Sequence, residues 1–213
     1  MPAQERGERR VADLLHAAEA LLVSDGYEAT TMSAIAQRAG ASIGSLYQFF
    51  PNKESIGNAL LAKYLDELAV LLDDWRSAPP DTPLVLGREL IAMVVDYVAE
   101  HPACSVLAES PAFVPVSQGL NNLERLSTSL CQLLAGYTTS IKLAELNSIA
   151  LAASFMLRAA VQAHRIPDSR KAAAMRKEMQ EALGAYLERR LGVSGPDIGS
   201  SSRQQASPRR AKR

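Results

Sequence analysis

Residues 39–55 read AGASIGSLYQFFPNKES, and the fold turns on how this stretch is read. Tyr47, Phe49 and Phe50 crowd into four positions between a Ser/Gly-rich turn and Lys53. Ser42 supplies an oxygen cap for a helix over Ile43 to Phe49, and Pro51 forbids its continuation. Upstream, Thr31 caps a short helix over Met32 to Ala39, which Gly40 ends. Two short helices joined by a small-residue turn, behind a longer amphipathic helix, have the lengths and turn chemistry of a helix-turn-helix, whose second helix enters the major groove. Ile35, Leu46 and Phe50 then face inward, toward Leu15 or Leu22, while Tyr47 and Phe49 point other ways around the axis.

Outward from that stretch the chain stays helical. Val11, Leu14, Leu15, Ala18, Leu21 and Leu22 recur at three- and four-residue steps and predict a helix ending at Asp25-Gly26. Asn52 caps a long helix carrying Ile56, Leu60, Leu61, Leu65, Leu68, Leu72 and Trp75. Thr82-Pro83 starts another over Leu84 to Val98, apolar nearly all round, which His101-Pro102 ends. Pro111 and Pro115 mark an irregular stretch, and helical spacing resumes from Leu120 to Tyr137. Two last helices follow, near Leu143 to His164 and Ser169 to Leu191, with Asp168 as cap and Gly192 as stop. With no sustained alternation anywhere, the expected class is all-α with about nine helices. The expected domains are an N-terminal three-helix helix-turn-helix unit at 1–55 and a larger helical domain at 56–192. Residues 193–213, rich in Ser, Gly, Gln and Arg, are expected to form a disordered basic tail. Its SPRRAKR end either brushes DNA or merely stays solvated.

Composition narrows the function. Lys plus Arg and Asp plus Glu balance at 23 each, so any nucleic-acid contact has to be local. Residues 1–57 make this harder, with Arg6, Arg9, Arg10, Arg38 and Lys53 outnumbered by seven acidic side chains. Cys104 and Cys131 form no CxxC, which argues against a disulfide framework. His16, His101 and His164 have no ligand spacing, so neither metal nor cofactor is expected. There is no phosphate loop and no nucleophile with an evident base, so no enzyme is expected. No uninterrupted apolar run approaches the roughly 20 residues of a membrane span, and an intracellular, cytoplasmic protein is expected.

Lys53 stands at a helix start, where a cation is mildly unfavourable, by about 0.3–1 kcal/mol. Structure alone gains little from it there, whereas an arriving phosphate gains from both the ammonium and the helix amides. The Tyr47 hydroxyl is placed to reach a phosphate and Phe49 to pack on a thymine methyl. The same residues also fit a solvated lysine and an aromatic cluster pinning one helix to the next. On spacing alone, a helical adaptor that binds protein stays open beside a DNA binder.

Residues Thr30-Thr31-Met-Ser-Ala-Ile35-Ala36, Ala39-Gly40-Ala-Ser42, Gly44-Ser45-Leu46-Tyr47 and Phe50-Pro-Asn52-Lys53-Glu54 together resemble the DNA-binding domain of TetR-family transcriptional regulators, over about residues 9 to 60. The resemblance implies that Thr31, Tyr47 and Lys53 hold phosphates. It implies that Ser42, Ile43, Gly44 and Ser45, with Phe49, approach base edges, Gly44 permitting close backbone approach. One departure concerns readout: no Arg, Lys, Asn or Gln lies between Ser42 and Tyr47, which leaves shape and apolar contact to do more. Arg6, Arg9 and Arg10 fit a flexible arm on the DNA backbone or minor groove.

The resemblance further implies a ligand-responsive regulator, a repressor by expectation. It would bind a pseudo-palindromic operator on double-stranded DNA as a homodimer and be released by a small-molecule effector. A pocket is expected among the helices from Leu84 to His164, with Met93, Tyr97, Phe113 and Phe155 as walls and Asp96, Glu109, Asn121 and Arg158 as polar anchors. An intersubunit four-helix bundle is expected from the small residues Ala144, Ala150, Ala152, Ala153, Ser154, Ala159, Ala160 and Ala163 and from the stripe Met175, Met179, Leu183, Tyr186, Leu187 and Leu191. Both stripes also fit burial within one chain.

Overall fold

The computed structural model of the chain describes residues 3–110, 112 and 126–192, and its regular elements there are all helical. They are α1 (Ala3–Ala29), α2 (Met32–Arg38), α3 (Ile43–Phe49), α4 (Lys53–Ser77), α5 (Pro83–Glu100), α6 (Pro102–Glu109), α7 (126–134), α8 (Leu143–His164) and α9 (Ser169–Leu191). A 3-10 turn at Ala135–Tyr137 follows α7. The tail expected at 193–213, together with Leu120 and Leu123, lies outside the described residues.

The caps read from sequence are made. Thr31 Oγ1 accepts from the Ala34 amide at 3.2 Å, Ser42 Oγ from Ser45 at 3.1 Å and Thr82 Oγ1 from Val85 at 3.2 Å. Asn52 and Ser55 exchange reciprocal bonds in a capping box, and Asp168 accepts from Arg170 and Lys171. Each such oxygen satisfies an amide with no partner inside its helix, an effect of about 1 kcal/mol. Two elements depart from the expected plan. Gly26 does break the α1 ladder, at φ 80° and ψ 169°, but the chain makes one further turn to Ala29, held by Thr30 Oγ1 donating to the Gly26 carbonyl at 2.7 Å. The eight-residue α6 is too short to show periodicity in the sequence; Pro102 in its first turn sets the backbone for it.

Burial unites the elements in one core. Leu14, Ala18 and Leu22 of α1 are buried in it together with Ile35, Leu46, Phe50, Ile56 and Leu60. Farther along, Leu86, Leu90, Ile91 and Val94 of α5 meet Ile149, Ala153, Leu157, Leu183 and Leu187. The long α4 belongs to both regions through Ile56, Leu60, Tyr64, Leu68 and Leu72, so the boundary expected after residue 55 falls in its first turn. Helix α5 runs against α9 where Gly87 meets Gly184; a Cβ on Gly87 would stand 2.5 Å from the Gly184 nitrogen.

Several residues expected at a subunit interface are buried inside the chain itself. Ala150, Ala153, Ser154 and Ala160 are covered by the chain's own core, as are Leu183, Leu187 and Leu191. The reason is that α8 and α9 pack on each other and on α5, which consumes one face of each. Leu143, Phe155, Ala159 and Met175 stay exposed. That packing also accounts for the apolar length of α8. Its Leu143–Ala163 window, with mean hydropathy 1.2, is long and apolar enough to cross a membrane, yet Ile149, Ala150, Ala153, Leu157 and Ala160 spend that character on the protein core.

Candidate nucleic-acid interface and interior cavity

Helix α3 divides cleanly. Leu46 is fully buried and Phe50, just beyond the helix end, is nearly so, four residues apart on the inward side. Tyr47 is 52% exposed, Ile43 42% and Phe49 38%, while Ser42, Gly44 and Gln48 are exposed and Ser45 half-buried. A short helix with three large apolar or aromatic side chains in solvent presents a surface, beyond what packing the core requires. The turn before it is set by Gly40 at φ 60°, a left-handed value that suits glycine, with the Ala41 amide bonded to the Ala36 carbonyl at 2.9 Å. Thr31, at the start of α2, is exposed apart from its capping bond.

Gly44 has no structural reason to be glycine. Its φ is ordinary, and a Cβ there would meet nothing within 4 Å. Glycine inside a helix is less favourable than alanine by roughly 0.5–1 kcal/mol, so the fold alone would prefer a side chain. The position makes sense if another molecule approaches the backbone closely.

Lys53 corrects the sequence reading, in which the fold gained little from this side chain. Its Nζ donates to the Tyr27 carbonyl at 2.7 Å and the Glu28 carbonyl at 3.2 Å, and lies 4.3 Å from the centre of the Tyr27 ring. The ammonium thus serves the unpaired carbonyls at the C-terminal end of α1, where the helix dipole favours a cation. The partner lies 26 residues away in sequence, so local pattern held no sign of it. Two of the three ammonium protons are engaged, which leaves one for an outside acceptor.

The second feature is a cavity of about 140 Å³ between α4, α5, α6, α7 and α8. Leu61, Leu65, Leu68, Val94, Val98 and Leu157 make much of its wall, with Tyr64, Cys104, Ser154 and Arg158 as its polar members. Burial pushes the Cys104 thiol up to about 12, so it lines the wall as a neutral group. Ser154 Oγ donates to the Ala150 carbonyl at 2.9 Å. Tyr64 is a wall residue and also donates to Glu19 Oε1 of α1 at 2.6 Å. Burial first, then that carboxylate, drives its phenol above the ordinary range. Lys63 stands 3.8 Å from Glu19 and 3.9 Å from Glu67, whose carboxylate accepts from the Tyr97 hydroxyl. The His101 ring stacks on Tyr97 at 4.1 Å between centroids. A polar cluster thereby ties α1 to the cavity side of α4 and α5.

Of the expected pocket residues, Arg158 lines this cavity. Tyr97 is buried beside Tyr64 with its hydroxyl on Glu67, Met93 packs partly buried against the core, and neither is a wall of the cavity. Asp96 is exposed and paired with Arg176 at 2.9 Å across to α9. Phe155 points outward, 49% exposed, because the cavity side of α8 is taken by Ser154, Leu157, Arg158 and Val161. Phe113, Asn121 and the Glu109 side chain lie outside the described residues. Sequence reading missed the whole α4 wall, Leu61, Tyr64, Leu65 and Leu68. The signal was present as a broad apolar stripe, but nothing local distinguishes its cavity-lining members from its packed ones.

Comparison with known proteins gives these features a context. The family described as "Bacterial regulatory proteins, tetR family" matches residues 14–60, the stretch from α1 through the first turns of α4. The HTH-type transcriptional repressor KstR of Rhodococcus jostii is 36% identical over 132 residues, 58% of this chain and 59% of that protein. KstR2 of the same organism is 28% identical over 127 residues, 60% of this chain and 62% of that one. The chain therefore spans about three-fifths of the length of the curated relatives it matches. Among solved structures, a TetR-family transcriptional regulator from Streptomyces coelicolor is 29% identical, with TM-score 0.59, over 86% of this chain and 98% of that one. FadR from Bacillus subtilis, solved in complex with stearoyl-CoA, shares the fold at TM-score 0.64 and 15% identity, over 82% of this chain and 98% of that one.

Proposed function

We infer that the chain is a TetR-family regulator: residues 14–60 match that family's model, and the all-helical fold is shared along most of the length with solved structures. On this reading the protein is a ligand-responsive DNA-binding transcriptional regulator. In finer terms it is a cytoplasmic repressor that holds a pseudo-palindromic operator as a homodimer and leaves it when a small molecule fills the cavity.

The observation that carries the reading is the outward face of α3, where Ile43, Tyr47 and Phe49 stand in solvent around a glycine the fold does not require. Thr31, Tyr47 and Lys53 supply phosphate contacts, which position the protein without reading sequence. Ser42, Ile43, Gly44, Ser45 and Phe49 meet base edges, and with no bidentate side chain among them, specificity leans on the thymine methyl and on DNA shape. The exposed Phe155 and Ala159 of α8, with the exposed Met175 of α9, offer apolar surface for a second copy. A two-fold dimer places two α3 helices on half-sites about 34–36 Å, or a multiple, apart.

Tyr64 suggests how occupancy reaches the DNA. It walls the cavity and holds Glu19 on α1, so a guest that moves it shifts the α1 attachment and the balance between two dimer conformations. The test is fluorescence anisotropy with the DNA upstream of the protein's own gene, at stated salt. Specific binding, with log affinity falling linearly against log salt, supports the reading. A folded dimer that binds none of the neighbouring intergenic DNA overturns it.

A further inference from the structure

We propose that the cavity takes an apolar monocarboxylate about the size of a substituted benzene ring, its hydrocarbon against Leu61, Leu65, Val94 and Leu157 and its carboxylate on the guanidinium of Arg158. This rests on the reading of the cavity as the effector site and adds the chemistry of the effector.

Arg158 carries the inference. It is half-buried on a wall otherwise made largely of hydrocarbon, and it has no hydrogen bond or ion pair with another described residue. Other arginines that pack across this half of the protein do find acceptors: Arg88 pairs with Glu181 at 2.6 Å, Arg176 with Asp96 at 2.9 Å and Arg190 with Glu145 at 3.0 Å. A permanent cation against an apolar wall without a counter-charge is unfavourable, and an incoming carboxylate converts it into a charge-assisted, bidentate contact.

The remaining polar groups on the wall narrow the ligand further. Ser154 has its proton on Ala150, Tyr64 has its proton on Glu19, and burial keeps the Cys104 thiol neutral. Arg158 is thus the one strong donor left among the described wall residues, and no carboxylate is among them. Cations find no partner, and polyols or sugars would bury hydroxyls that nothing answers. A single guanidinium matches a single negative charge. Size follows from the volume: about 140 Å³ compares with the roughly 150 Å³ engineered cavity that accepts benzene, so about six to ten non-hydrogen atoms fit.

Calorimetry and thermal shift on the full-length protein, with benzoate and hexanoate set against their neutral counterparts benzyl alcohol and hexanol, decide the matter. The carboxylates are expected to bind at least tenfold more tightly than the alcohols. In Arg158→Gln their affinity falls at least tenfold while that of the alcohols holds, the alcohols serving as the check that the cavity is intact; Arg158→Lys recovers part of the loss. Alcohols binding as tightly as acids, or acids indifferent to Arg158→Gln, overturn the proposed chemistry and leave the effector site standing. If none of the four binds while DNA binding persists, the proposed chemistry and the effector reading fall together.

Discussion

The Lys53 ammonium closes on the Tyr27 carbonyl at 2.7 Å, so the side chain proposed to hold a phosphate also fastens α4 to the end of α1. A substitution there mixes two effects. Lys53→Gln is expected to lower stability by about 1–2 kcal/mol, from a charge-assisted bond and a cation–π contact that are both partly solvated. It should also weaken DNA binding on every sequence. Urea denaturation and anisotropy, run in parallel, separate the two.

Tyr47→Phe isolates the interface. The Tyr47 hydroxyl is in solvent and has no hydrogen bond to another described residue, so its removal should leave stability within about 0.5 kcal/mol. DNA affinity should drop on specific and nonspecific sequences alike. Equal affinity for both proteins across a salt series would remove Tyr47 from the interface.

Gly44→Ala sets fold against function most sharply. With open space around the position, alanine should hold or raise stability, by up to about 1 kcal/mol. Operator affinity should fall, because the methyl would stand where the DNA is proposed to approach. A variant that is both more stable and equally tight on DNA would show that Gly44 serves neither.

Gly87→Ala should be costly. The new Cβ meets the Gly184 backbone at 2.5 Å, and backbone yields far less readily than the tip of a side chain. Separating α5 from α9 is expected to cost about 1–3 kcal/mol, read as a lower melting temperature with the helical circular dichroism preserved before melting.

Tyr64→Phe deletes the bond between the cavity wall and Glu19, leaving that carboxylate with Lys63 at 3.8 Å. Stability should fall by about 0.5–1.5 kcal/mol. Any ligand that binds the cavity should then change DNA affinity less than it does in the parent protein. Undiminished coupling in the variant would locate the transmission elsewhere.

Alkali should unfold the protein through the same interior. Burial holds the Tyr64 and Tyr97 phenols above their ordinary range and pushes Tyr137 and the Cys104 thiol up to about 12. A group that keeps its proton longer when folded supports the fold fully below its unfolded pKa and withdraws that support as pH rises through the folded value. Melting temperature should therefore be level to about pH 8, where an unfolded thiol with a pKa near 8.5 begins to ionise, and decline toward pH 12. Cys104→Ala should flatten the first part of that decline. A flat profile between pH 9 and 11 would contradict the assignment.

Helix starts and stops were legible because their causes are local: Thr31, Ser42, Asn52, Thr82 and Asp168 cap helices within three residues of themselves, and Pro51 and Gly40 act on their own backbone. The inward turn of Leu46 and Phe50 followed from helical spacing in the same way. What spacing leaves open is which of several apolar faces meets which neighbour. Lys53 reaching Tyr27, Tyr64 reaching Glu19, Gly87 against Gly184 and the α4 wall of the cavity all join residues at least 26 apart, and Phe155 faces outward because Ser154, Leu157, Arg158 and Val161 take the cavity side of α8. Sequence alone determined an all-helical chain whose α3 turns Leu46 and Phe50 inward and Tyr47 outward, since caps and helical spacing a few residues long dictate both. Only the tertiary structure decided that Arg158 shares a wall with α4, because that depends on how whole helices share the removal of their apolar faces from water.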